Sequence, residues 1–158
     1  MKTKEFIDAT VFMGMHSKHE ETRIACKNFF VQRTNHLIYM SFENVGKCDD
    51  LVWPFDRITQ DVYYPFMDRL HTFMRIKRLP YSTKELHLLP KPIFPSLNPF
   101  QKLTLLMVIA HKGKLYTFDK KLLSLELSFI SKPALSKREL SFKNELEKYY
   151  SPSLALRL

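Results

Sequence analysis

The stretch that decides the fold is residues 103–123, LTLLMVIAHKGKLYTFDKKLL. Asn98-Pro99 precedes it as a helix start, with Asn at N-cap and Pro at the first helical position. Leu103, Leu106, Met107 and Ala110 recur at helical spacing and mark a buried face. Gly113 reads as the helix stop. Leu115–Phe118 is then too short and apolar for anything but an interior strand, and Asp119 stands at its exit.

The same alternation extends outward. KEFIDATVFM, residues 4–13, reads as a strand over about 5–12, rich in β-formers and carrying Asp8. HLIYMS, residues 36–41, is a second short apolar strand, and Ser41 caps a helix over about 42–53 that Pro54 ends. Between these two strands, Ser17 and Glu20 form a capping box for a helix over about 18–33. Residues 57–78 read as helical, with Pro65 predicting a kink or two helices. Ser82 and Glu85 open a short helix near 83–89, and PKPIFPSLNP, residues 90–99, is a stiff connection. A last helix is predicted from Ser136 and Glu139, with a loose tail over 151–158. Strands separated by helices, without a hairpin signal, predict strands 5–12, 36–41 and 114–118 as parallel neighbours in one sheet covered on both faces.

Bulk composition narrows the class. The chain has 158 residues, 45% of them apolar, enough for one domain over 1–150 with a packed core. The longest apolar run, Leu105 to Ala110, falls far short of the roughly 20 residues a membrane span needs. Glu5 and Asp8 interrupt any signal-like start, so a cytoplasmic protein with no membrane partner is expected. Cys26 and Cys48, without CxxC partners, read as reduced buried thiols. The net charge of +9 is uneven: residues 1–79 hold 12 Lys/Arg against 10 Asp/Glu, and residues 80–158 hold 13 against 6. A basic half beside acids suits a polyanion, as it also suits a solvated surface.

Three segments together resemble PIN domains. FIDATVFM is similar to the PIN opening, an Asp at a strand's end followed by Ser, Thr or Asn; here these are Asp8 and Thr10. LIYMSFENV resembles the second element, with Glu43 in the first turn of the following helix. LTLLMVIAHKGKLYTFDKKLL resembles the closing unit, with Gly113, Thr117 and Asp119. FMGMHS, CDDLVW and YYPFMDRLH also look like a group of bacterial PIN-like proteins. The resemblance implies a PIN-like three-layer α/β/α sandwich with a central, mostly parallel sheet. It implies Asp8, Glu43 and Asp119 as a catalytic cluster holding Mg²⁺ or Mn²⁺ for RNA hydrolysis, as in toxins or RNA-processing enzymes, with Thr117 orienting a ligand.

The chain departs from that pattern in two respects, one being that Lys121 stands where a second acid two residues after Asp119 is usual. A further acid usual at the start of the helix before the Gly turn falls on Gln101 or Lys102. Asp50, on the same helical face two turns or about 10 Å from Glu43, is too far away to share its ion directly. A degenerate, non-cleaving module that binds nucleic acid, a protein partner or a second copy is the alternative. A His/carboxylate metalloenzyme built on His16, His19 and Asp8 is a further one. Arg69, Arg75, Lys77, Arg78 and Lys102 are the candidates for phosphate contacts, and Tyr63, Tyr64, Phe66 and Phe73 read as core rather than as base-stacking residues.

Overall fold

The computed structural model describes residues 2–143 and 145–158. The elements run β1 (Glu5–Ile7), α1 (Ala9–Gly14), α2 (Glu20–Val31), β2 (Leu37–Ser41), α3 (Phe42–Val52), α4 (Arg57–Phe73), β3 (Arg75–Leu79), α5 (Thr83–Leu88), α6 (Pro99–Ala110), β4 (Lys114–Tyr116), α7 (Lys120–Leu123), β5 (Ile130–Ser131) and α8 (Leu146–Ser153). The strands form one parallel sheet in the order β3-β2-β1-β4-β5. As predicted, β1, β2 and β4 are parallel neighbours in one sheet, and β1 lies between the other two.

Strand alternation divides the core into two layers. Ile7, Ile38 and Met40 face a large cluster with Phe12 of α1, Phe30 of α2, Val52 of α3, Phe66 and Leu70 of α4 and Tyr150 of α8. Phe6 and Leu115 face the other side, against Leu105 and Val108 of α6 and Leu122 of α7. This is the expected three-layer α/β/α sandwich. Among the described residues no helix is long and apolar enough to cross a membrane. Cys26 and Cys48 are free and buried, and burial pushes both thiols up.

Several local expectations are corrected. β1 ends at Ile7, because Asp8 caps α1 and turns the apolar run that follows into a helix. Gly113 does not take the left-handed conformation. Lys112 does, at φ 49°, and the Gly113 N–H donates to Val108 O at 2.9 Å while the Lys112 N–H donates to Ile109 O at 3.0 Å. That bond pair is a Schellman ending with Lys in the glycine's place. Gly113 is needed for space: a Cβ there would sit 2.6 Å from two carbons of the Phe6 ring. The Ser17 hydroxyl accepts from the His19 N–H at 3.1 Å and does not cap α2. α4 passes through Pro65 as one element; the ring is exposed, so the carbonyl that loses its donor can meet water.

Arg75, Lys77 and Arg78, expected on a helix, lie in β3, an edge strand. No helix opens at Ser136. Glu139 is held instead by Arg23 at 2.6 Å and by Lys27 at 2.7 Å, and Lys27 also reaches Glu147 at 2.7 Å. The residues beyond Tyr150 are not loose: Ser153 and Leu156 are buried, and Leu158 exchanges backbone hydrogen bonds with His16 and Lys18.

Candidate functional site

The strand order places a topological switch beside β1. The chain moves outward through β2 and β3, then returns to the other flank of β1 as β4. In open parallel sheets ligands bind beyond the carboxyl ends of strands at such a switch. A cavity of about 420 Å³ opens there, with Asp8, Thr10, Asn44, Gln101, Thr104 and Asp119 in its wall.

Asp8 is buried at the end of β1 and serves as the N-cap of α1. Its Oδ1 accepts from the Thr10 N–H at 3.0 Å, from the Val11 N–H at 3.4 Å and from the Thr10 hydroxyl. Its Oδ2 accepts from the Thr117 hydroxyl. Burial raises its pKa to about 6, against the opposing pull of these donors. The two threonines tie β1 to the end of β4: Thr10 Oγ1 accepts from the Phe118 N–H at 2.8 Å, and Thr117 Oγ1 from the Asp119 N–H at 2.9 Å. Thr10 and Thr117, expected as part of the site, with Thr117 orienting a ligand, instead hydrogen-bond directly to the Asp8 carboxylate.

Asp119 caps α7. Its Oδ1 accepts from the Lys121 and Leu122 N–H groups at 2.9 and 3.0 Å. Its Oδ2 accepts from Gln101 Nε2 at 2.8 Å. Gln101 is oriented from behind, because its Oε1 accepts from the Asn98 N–H at 3.0 Å, closing a capping box at the start of α6. Of the two residues that the sequence left open for the further acid, Gln101 is therefore the one at the cavity. Lys102 turns away, its Nζ donating to the Lys91 carbonyl.

The structure brings Asp8 and Asp119 to one cavity but leaves Glu43 outside its wall, exposed and facing the Tyr81 hydroxyl. The inward position of that turn belongs to Asn44, which the sequence reading missed. Asn44 is fully buried; its Oδ1 accepts from the Ala9 N–H at 2.9 Å, and its Nδ2 donates to Ser41 Oγ at 2.9 Å and to Thr104 Oγ1 at 3.0 Å. The only cue available was its place three residues after the Ser41 cap. Asp50 is exposed on α3 and absent from the wall.

His16 does not join Asp8. Its Nε2 pairs with Ser153 Oγ at 2.9 Å, its ring lies among Tyr63, Phe66 and Tyr150, and burial lowers its pKa to about 3. His19 is exposed at the start of α2. Of the expected phosphate contacts, Arg69 stacks on Tyr149 at 5.2 Å, and none of Arg69, Arg75, Lys77, Arg78 and Lys102 lines the cavity, where Lys47 is the only cation among the described residues. Among the described residues no three His, Cys, Asp or Glu side chains are grouped to hold a metal ion.

An α/β/α sandwich with paired acids at its switch point is the class that fold and site define. The chain belongs to DUF6190, a family of unknown function, which it matches across residues 1–158. Its fold is similar to that of PAE2754 from Pyrobaculum aerophilum, known from a crystal structure, with a TM-score of 0.56 and 11% identity over 81% of this chain and 83% of that one. At that identity the likeness concerns the fold alone. No curated protein matches the sequence.

Proposed function

We propose that this chain is a PIN-like module that binds nucleic acid without cleaving it. The observation that carries the reading is the Gln101 amide on Asp119 at 2.8 Å. In the domains the sequence resembles, an acid is usual at this helix start; here a neutral donor spends its N–H on one of the remaining acids.

Mg²⁺ or Mn²⁺ would need several free oxygen ligands at about 2.0–2.1 Å in near-octahedral array. The donor set does not fit that demand. Both Asp8 oxygens already accept hydrogen bonds, both Asp119 oxygens do as well, and Glu43 lies outside the cavity wall. Hydrogen-bond donors already engage each of these oxygens and compete with an ion for them. The net charge of +9, concentrated after residue 79, supports a polyanionic partner.

Fluorescence anisotropy with labelled single-stranded RNA, followed by gel analysis of the same samples in Mn²⁺ or Mg²⁺, tests the proposal. RNA should be bound and remain intact. Metal-dependent cleavage that Asp8→Asn abolishes would restore the ribonuclease reading, and absence of RNA binding would end the nucleic-acid reading.

A further inference from the structure

A second concave site lies on the α2 side of the sheet, where β4 and β5 form its floor. It is a groove of about 500 Å³ between α2 and the 132–140 segment. Lys114, Lys132 and Arg138 line it, no carboxylate does, and none of the three has an ion-pair partner among the described residues. Arg33, also in the wall, is already matched by Glu5 at 3.0 Å. Three unpaired cations converging on one hollow repel one another, an arrangement that an anion relieves.

The wall is held in place before any ligand arrives. Asn28 of α2 donates through Nδ2 to the Arg138 carbonyl and accepts through Oδ1 from the Leu140 N–H, each at 2.8 Å. Glu139 between them is drawn to Arg23 and Lys27. Pinning the backbone of residues 138–140 keeps Arg138 in the wall of the groove. Ser131 contributes to the floor, but its Oγ is shielded from solvent and does not face the groove.

We propose that this groove holds phosphate groups, with Lys114, Lys132 and Arg138 supplying the charge. The phosphates can come from a nucleic-acid strand, an arm that rests on the function proposed above, or from a small phosphorylated molecule. The groove's volume falls within the range of small-molecule sites.

Titration calorimetry on the full chain with pyrophosphate, and anisotropy with a labelled ten-nucleotide oligouridylate, distinguish the sources. The double variant Lys132→Glu, Arg138→Glu should weaken binding at least tenfold. Lys84→Glu with Lys91→Glu makes the same charge change on the α5 side and should weaken it less than twofold. For the oligonucleotide, three phosphate contacts give a slope of log K against log salt of about −2, falling to about −0.7 in the groove variant. Pyrophosphate bound through the groove without RNA binding would keep the groove and end the nucleic-acid reading. RNA bound equally by wild type and groove variant would end the groove and keep that reading. If neither probe binds, or if the two double variants behave alike, the groove proposal is wrong.

Discussion

Gln101→Glu is the most direct probe of the cavity. The substitution preserves shape and preserves the oxygen that accepts from the Asn98 N–H, so α6 keeps its capping box. It replaces the Nε2 donor, 2.8 Å from Asp119 Oδ2, with a second carboxylate oxygen. A hydrogen bond to a charged acceptor, about 1.5–3 kcal/mol, is lost. Two like charges about 4 Å apart add repulsion of about 1 kcal/mol in water and about 4 kcal/mol at an effective dielectric of 20. Gln101 is buried and Asp119 half-buried, so with some relaxation the net loss should be about 3 kcal/mol, a large share of a typical domain's 5–15 kcal/mol.

Two dependences identify the cause. The new carboxylate takes up a proton more readily in the folded state, so its pKa is raised there and the deficit shrinks as pH falls. A divalent cation would bridge the two acids, and Mn²⁺ at ten times its dissociation constant would return about 1.4 kcal/mol. Urea denaturation at pH 8 and pH 5, with and without Mn²⁺, reads both. A variant as stable as wild type at pH 8 and indifferent to Mn²⁺ would refute the placement of Gln101 against Asp119.

Asp8, raised to about 6 by burial, makes its full contribution to stability below its ordinary value of 3.8, loses it as pH rises to about 6, and leaves a deficit of about 3 kcal/mol above that. Asp8→Asn should flatten this slope and stabilise the fold by about 1–3 kcal/mol at pH 8, measured by denaturation across pH. Lys112→Gly should stabilise by about 1 kcal/mol by relieving the left-handed residue, whereas Gly113→Ala should cost about 1–3 kcal/mol through the Phe6 clash; thermal melts check both. Arg23 and Lys27 hold the Glu139 carboxyl down to about 2, so its contribution is present above the ordinary value of 4.5 and is lost as pH falls toward 2. Amide exchange should therefore quicken in 138–150 at low pH before it does in β1, and uniform exchange would contradict the role given to this network.

What could be read in the sequence depended on whether local signals and tertiary demand agreed. β2 and β4 are short apolar runs between caps, and Ser41, Ser82 and Asn98 cap the helices their spacing implies. β3 was hidden because RIKRL carries three charges and takes its strand geometry from pairing with β2, not from an apolar pattern. β5 has only two residues, too few for any period. In ATVFMG both sides of α1 are buried, so no helical stripe survives to contradict its β-formers. At the site, Asp8, Thr10, Thr117, Asp119 and Gln101 were singled out by the resemblance of their segments to PIN domains, not by composition or periodicity. Asn44 was not, because its importance comes from reaching Ala9 and Thr104, positions no local pattern connects. The groove was equally hidden, since Lys114, Ser131 and Arg138 meet only through the sheet and the Asn28 clamp.

The packing of α8 also bears on how the protein is made. Phe142, Leu146, Tyr150 and Leu156 complete the same cluster as Phe66 and Leu70 of α4, about eighty residues earlier in the chain. Synthesis at about 5–20 residues per second leaves that apolar face of α4 without its cover for several seconds after α4 leaves the ribosome. During that interval the nascent chain offers chaperones an adhesive surface that the finished protein hides. Slowed translation between residues 74 and 142 should lengthen this exposure and increase the fraction that aggregates.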